Sequence, residues 1–427
     1  MTESGNKFFV VSPGVFRKSQ FYDIFAATGS WRYKKSRKCL GLQEPEGDAK
    51  LQWLVEAQTF FQRRSWFVRD ETTNGDLGPG EGESGRANVV STSPLRVACI
   101  GMGWWSDVLA DAIQRSGKLE ILSCYTRSEE KRQTFAAKYR CRPAASYEAM
   151  LADPEIEAII NTTPNDVHLA TTSAAAAAGK HVFLDKPIAN TVSDGRAITE
   201  ACRKAGVVLA LGYQRRRESH FRWIRQQIDD GVFGKLVNAE ANISRVRLGK
   251  IDLTSWRYQA AGMPGGVMLQ IGIHYIDVLE YLIGPVHAVR GQSAQLVLPG
   301  DNPDVASLML EHENGALSTL NASYASASEY YLMNIYGRDA TAYYDLHNGL
   351  RLLKRGETEP VAVRCAKNDT LVEELEEFAA AARGQGQHEV GGEYATKSLA
   401  VVRAGILSAR EGRRVEVAEI LDSDRNL

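Results

Sequence analysis

Between residues 95 and 212 the chain alternates short apolar runs with helical periods, and this alternation constrains the fold more than any bulk property. Strands are expected at 95–100, 119–125, 156–161, 181–184 and 207–212, with helices at 106–116, 129–139, 166–179 and 191–205 between them. A β-α-β order of this kind marks a parallel, doubly wound sheet. After residue 212 the character changes. A helix at 220–230 leads into longer alternating segments at 236–246, 288–297, 306–311 and 316–324, which read as an open, largely antiparallel sheet. Helices at 370–383 and 393–411 close the chain. The expected class is therefore α/β: an amino-terminal nucleotide-binding domain at 95–216, then a substrate and oligomerisation α/β domain at 217–427.

Residues 1–94 stand apart as an amino-terminal extension and linker. They hold a basic patch (Arg32, Lys34, Lys35, Arg37, Lys38) among aromatic residues and close on a Gly/Glu/Ser/Asn-rich stretch at 72–93 that reads as a flexible linker. The patch reads as a solvated or disordered segment rather than a nucleic-acid contact. No methionine occurs between Met1 and Met102, so a start near Val89 or Val90 would yield a protein opening just before the first strand. Two readings stand, an appended segment or a start-site artefact.

A net charge of −1 gives no electrostatic reason to expect nucleic acid or an anionic membrane as partner. No apolar run approaches the roughly 20 residues that span a bilayer. Phe8 to Val11 is too short for an export signal. The six cysteines are scattered without a C-x-x-C pair and read as reduced thiols of a cytoplasmic protein. No metal site is expected.

The motifs carry the chemistry. Gly101-Met102-Gly103-Trp104-Trp105-Ser106 follows the first strand and opens the first helix. It is a variant of G-x-G-x-x-G, the Rossmann fingerprint: the first glycine permits the tight turn, and the second lets backbone approach a pyrophosphate at the helix amino end. Ser106 replaces the third glycine with another small residue. The second strand ends in Tyr125-Thr126-Arg127-Ser128, without the acid that would accept bonds from a ribose 2′-hydroxyl. Arg127 between hydroxyls suits a 2′-phosphate, which favours NADP over NAD, with dual use open. Asn165 or Asp166 can cap the alanine-rich helix that follows the third strand of this series.

Lys186 lies in Leu184-Asp185-Lys186-Pro187, at the carboxyl end of an expected parallel strand, where doubly wound folds bind ligands. Pro187 restricts Lys186 to extended backbone and so fixes its direction. Oxidising a carbinol by hydride transfer needs a base for the hydroxyl proton and a cation for the developing alkoxide. Gln270, His274 and Asp277 fall at helical spacing, so all three are expected to face one cleft, where Asp277 either orients His274 or pairs with a neighbour. In Tyr213-Gln214-Arg215-Arg216-Arg217, Arg215 or Arg216 is a candidate contact for substrate oxygens. Trp256-Arg257 either closes over a cyclic substrate or, for the tryptophan, packs.

In this order, the glycine turn, Thr163-Pro164-Asn165-x-x-His168, Asp185-Lys186-Pro187 and the segment 265–277 resemble the glucose-fructose oxidoreductase/inositol dehydrogenase/MocA family over about 95–407. The family pattern has Glu before the lysine and usually Asp where Gln270 stands. The resemblance implies a Rossmann domain followed by an open-sheet domain that often mediates assembly, here as a homodimer or homotetramer. It implies NAD(P)-dependent chemistry at a C–OH/C=O centre of sugars, inositols, related cyclic polyols or dihydrodiols. Lys186 and His274 become the catalytic pair. Gly101, Gly103, Trp104, Trp105, Thr126, Arg127, Thr163, Pro164, Asn165, His168, Asp185 and Lys186 are then expected at the cofactor. Lys186, Arg215, Trp256, Arg257, Gln270 and His274 are expected at the small-molecule substrate. Glutamine cannot take a proton, so the relay rests on His274 and Lys186. A non-catalytic sensor on the same fold and an NAD-dependent glycosidase are the competing readings.

Overall fold

The apolar runs of the first half pair into one six-stranded sheet: β1 (Leu95–Ile100), β2 (Leu119–Tyr125), β3 (Arg142–Pro143), β4 (Ala158–Asn161), β5 (His181–Asp185) and β6 (Leu209–Gly212). All its pairs are parallel, in the order β3-β2-β1-β4-β5-β6. Buried on both faces, these strands read as continuous apolar runs, as parallel sheets require. Helices α1 (Trp104–Ser116), α2 (Glu129–Tyr139), α3 (Tyr147–Leu151), α4 (His168–Ala177) and α5 (Val192–Ala205) make the crossovers. Strand order reverses beside β1, which lies between β2 and β4, so a crevice opens at the carboxyl ends of these strands. The computed structural model describes residues 93–423 other than 251 and 253. The expectations for 1–94, residues 93 and 94 aside, lie outside it.

A short helix α6 (Ser219–Asp229) leads into the second sheet, formed by β7 (Leu236–Val246), β8 (Val286–Ala294), β9 (Val305–His312), β10 (Leu317–Ser323), β11 (Ala325–Gly337), β12 (Ala340–Asp345), β13 (Gly349–Lys354), β14 (Val361–Val363) and β15 (Val415–Glu416). Its order is β14-β13-β12-β11-β7-β10-β9-β8-β15. Only β7 and β10 pair in parallel, and the remaining pairs are antiparallel. The expected α/β class and largely antiparallel second sheet therefore hold. Along β7 the positions Ala239, Ala241 and Ile243 are buried. They set the inner face, against which α7 (Ile273–Ile283) and α9 (Gly392–Glu411) pack.

One element departs from the linear division at 216/217. Helix α8 (Thr370–Ala382) returns to the first sheet, where Leu375 and Phe378 join the core of β1, β2 and α1. The Phe378 ring meets Phe183 edge-on at 5.7 Å. Apolar periodicity shows that a helix has a face to bury, not which sheet it buries it against. Helix α10 (Val417–Asp422) ends the described chain. Among the described residues no helix is long and apolar enough to cross a membrane.

Candidate active site

The glycine turn is held by an absence of side chain. Gly101 has φ +93°, and a Cβ there would lie 2.6 Å from Thr162 C and Thr163 N, both main chain. Only glycine lets the β1–α1 turn sit on the segment after β4. Gly103 differs: its backbone is extended, and a Cβ would meet only ordinary contact, 3.6 Å from the Gly101 carbonyl. It caps α1 without a side-chain hydrogen bond, leaving the first N–H groups for an anion. Of the two tryptophans that follow, Trp104 is exposed and Trp105 half-buried, with Nε1 buried and unpartnered. A cradle kept open by missing Cβ atoms fits a dinucleotide pyrophosphate.

Beyond β2, the Thr126 carbonyl accepts from Arg132 Nη1 at 2.8 Å, which ties the loop to α2. Ser128 caps α2 by accepting from the Lys131 N–H. Arg127 is exposed at the tip and makes no ion pair among the described residues. Arg132, whose guanidinium also lies over Tyr125 at 5.5 Å, was not among the sequence candidates. Its spacing from Thr126 gives no hint of the contact.

Thr163 donates both its N–H (3.1 Å) and its hydroxyl (2.7 Å) to Asn161 Oδ1, which shapes the turn after β4. Pro164 starts a single 3-10 turn, Asn165–Val167. Asn165 is buried and donates to Asn190 Oδ1 at 3.1 Å; Asn190 in turn donates to the Gly262 carbonyl at 3.2 Å. His168 is buried, with Nε2 2.9 Å from the Thr163 carbonyl and Nδ1 3.1 Å from that of Pro187. Both ring nitrogens are thus taken by main chain. His168 therefore brackets the Thr-Pro-Asn turn to the Lys186-Pro187 loop.

Lys186 is half-buried, and its Nζ donates to the Gln270 carbonyl at 2.9 Å. That carbonyl lies in a π-turn, Met268–Gly272, where the Ile273 N–H reaches back to Met268. Such turns break the regular ladder and recur at functional sites. Burial pushes the Lys186 ammonium down to about 8; Asp185 opposes this, while Arg257, Arg245 and Arg215 add to it. Asp185 itself is pushed upward by burial against the pull of Lys186 and Arg257.

His274 is 7% exposed and its Nδ1 is buried with no hydrogen-bond partner. Burial, then Lys186, Arg215 and Arg245, hold it well below the usual imidazole range. It is therefore neutral at pH 7 and able to accept a proton or a hydrogen bond. Gln270 Oε1 accepts from the Tyr324 hydroxyl.

Of the readings for this helix face, Asp277 leaves the shared cleft and takes the second, pairing with a neighbour. It is fully buried and turned into the core, where Arg216 Nε donates to Oδ1 at 3.1 Å. Arg216 is also sandwiched on Tyr394, at 4.5 Å, and lies 3.5 Å from Glu389. Its neighbour Arg217 pairs with Glu377. Arg215 faces the site side but pairs with Glu218 at 2.7 Å and lies over the Tyr331 ring. The run of three arginines is therefore largely neutralised in place. Trp256 leans on the core and receives the Arg257 guanidinium at 4.5 Å over its ring. Missed by sequence reading were Tyr324 and the two arginines 245 and 247 at the end of β7. Among the described residues no group of three or more His, Cys, Asp or Glu side chains is arranged to hold a metal.

Known proteins share this fold. Residues 95–213 match the family model described as an oxidoreductase family with an NAD-binding Rossmann fold, and 221–343 match the GFO/IDH/MocA C-terminal domain. The 1,5-anhydro-D-fructose reductase of Ensifer adhaerens is 27% identical over 72% of this chain and 93% of its own. The D-apiose dehydrogenase of Paraburkholderia graminis is 27% identical over 78% and 92%. A Desulfitobacterium hafniense oxidoreductase assigned as NADPH-dependent superposes with a TM-score of 0.74 at 33% identity, covering 78% of this chain and all of that one. Levoglucosan dehydrogenase with NADH and levoglucosan shares the fold, with a TM-score of 0.71 at 19% identity over 76% of this chain and 99% of its own. With both of its domain models matched in order along one chain, the protein belongs to the Gfo/Idh/MocA family of oxidoreductases.

Proposed function

We propose that the protein is an NAD(P)-dependent dehydrogenase or reductase acting at a C–OH/C=O centre of a sugar, inositol or related cyclic polyol, dihydrodiols included. The observation that carries this reading is that Lys186 Nζ is fastened to the Gln270 carbonyl, four residues before a buried His274 whose Nδ1 has no hydrogen-bond partner. When bound, the nicotinamide accepts or supplies the hydride. The chain's own groups handle the proton. A substrate hydroxyl set between Lys186 Nζ and the His274 ring gives its proton to this pair as the carbon is oxidised. The resulting ammonium, fastened to the Gln270 carbonyl, faces the developing negative oxygen. Gln270, itself held by Tyr324, contributes position and no proton. Sugars, inositols and cis-dihydrodiols offered with each cofactor, with nicotinamide absorbance followed, test this. Turnover by wild type that falls about 10²–10⁴-fold in Lys186→Ala supports it; absence of turnover with any of them refutes it.

NADP is the favoured cofactor within this reading. Arg127 stands exposed and without an ion pair among the described residues just past the end of β2, the strand beside the glycine turn, and the D. hafniense relative is described as NADPH-dependent; both support this choice. Fluorescence titration should find NADPH tighter than NADH, with Arg127→Ala weakening NADPH by about 10-fold or more and NADH little. Tighter NADH binding by wild type sinks the assignment. The division into a nucleotide domain at 95–216 and a substrate domain at 217–427 belongs to the same reading, with α8 lent back to the first sheet. So does homo-oligomer formation, supported by exposed Val237, Met309 and Leu317 on the second sheet. A cytoplasmic setting is supported by the free thiols of Cys99, Cys124, Cys141, Cys202 and Cys365.

A further inference from the structure

The inner face of β7 begins as core and ends as charge. Ala239, Ala241 and Ile243 alternate into the buried layer beneath the helices. With the two-residue period of a strand, Arg245 continues that face, and Arg247 follows just past the end of β7. Both are half-buried, and the Nε of each is buried without a hydrogen-bond partner. The Arg247 N–H bonds to the Tyr324 carbonyl at 3.0 Å, and its guanidinium lies over the Tyr324 ring at 5.9 Å. Tyr324 in turn bonds Gln270, whose carbonyl holds Lys186. Arg257 reaches the same place from the opposite loop, packed on Trp256.

The negative groups do not balance this set. Glu218 is taken by Arg215, and Asp185 is one carboxylate between Lys186 and Arg257. Arg245, Arg247 and Arg257 have no carboxylate within ion-pair distance among the described residues. Half-buried guanidinium groups left without a counter-ion are costly, and a fold keeps them where a ligand completes them. A neutral polyol would leave the cost in place, and an oxidised nicotinamide would add to it. Guanidinium forks match the oxygens of carboxylates and phosphates.

We propose that the substrate carries an anionic oxygen group, carboxylate or phosphate, seated on Arg245, Arg247 and Arg257, while its carbinol faces Lys186 and His274. This rests on the dehydrogenase reading and narrows its substrate class to acidic sugars.

The test compares D-glucuronate, D-glucose 6-phosphate and D-glucose with the full-length protein saturated with nicotinamide cofactor, by calorimetric binding and by turnover. At least one of the two anions should bind ~10-fold or more tighter than D-glucose, and which one it is separates carboxylate from phosphate. In Arg245→Met and Arg247→Met that preference should shrink by ~10-fold or more. Equal or tighter binding of D-glucose by wild type overturns the inference, and so does an equal loss for all ligands in both variants. Should a variant fail to fold, the wild-type comparison still decides. An anion that binds more tightly than D-glucose, with no turnover of any sugar, inositol or cis-dihydrodiol, supports the anion seat and refutes the dehydrogenase reading. Turnover with D-glucose preferred does the reverse.

Discussion

Lys186 combines two requirements that conflict in water. A base must be free of its proton near neutral pH, and an oxyanion partner must be charged once the proton arrives. Burial, set against the pull of Asp185, brings the ammonium down to about 8, and neighbouring arginines add to the shift. His274 is pushed the same way and stays neutral throughout. The sign for catalysis follows. In the oxidation direction kcat/KM should rise about tenfold per pH unit below about 8 and level off above it, as the amine loses its proton. In the reduction direction it should fall through the same range. Lys186→Arg should keep the charge and lose the rise, because a guanidinium does not deprotonate there. A flat wild-type profile between pH 6 and 9 would contradict this role for the lysine.

At the scale of elements, the two glycines of the β1–α1 turn do different work. Gly101 is required by the fold: alanine there would drive Cβ into main chain at 2.6 Å, at a φ alanine avoids. Gly103 has room for a Cβ and an ordinary φ, so its bareness serves a ligand. Gly101→Ala should lower both stability and cofactor affinity. Gly103→Ala should cost less than about 1 kcal/mol in denaturant unfolding yet weaken nicotinamide cofactor binding roughly tenfold or more. Equal stability losses in the two variants would show the turn to be structural only. The glycine pattern was legible because a strand, a tight turn and a helix start are local. The π-turn at Met268–Gly272 was not, since a widened turn leaves no mark in apolar spacing. Nor were β11 to β14, whose sequence reading stops at residue 324. The exposed polar opening of β11 hides its alternation, and its pairing with β7 is a long-range choice.

At the scale of the molecule, the two sheets are joined by buried ion pairs as well as by apolar packing. Arg216, after the last parallel strand, is locked to Asp277 of α7 and close to Glu389. Asp277→Ala would leave that guanidinium under-compensated in the core, so it should destabilise the fold by about 3 kcal/mol or more in denaturant unfolding. A loss of turnover without a loss of stability would return Asp277 to the role of orienting His274. Sequence by itself determined the parallel sheet and the strand–turn–helix form of the glycine turn, and its family motifs singled out Lys186 and His274 as candidates, because each depends on periodicity or on neighbours within a few residues. Tertiary structure alone decided that α8 covers the first sheet, that Asp277 turns inward, and that Tyr324, Arg245 and Arg247 close around Gln270 and Lys186. These are matters of burial and Coulomb distance between residues far apart in the chain, and spacing along a sequence carries no measure of either.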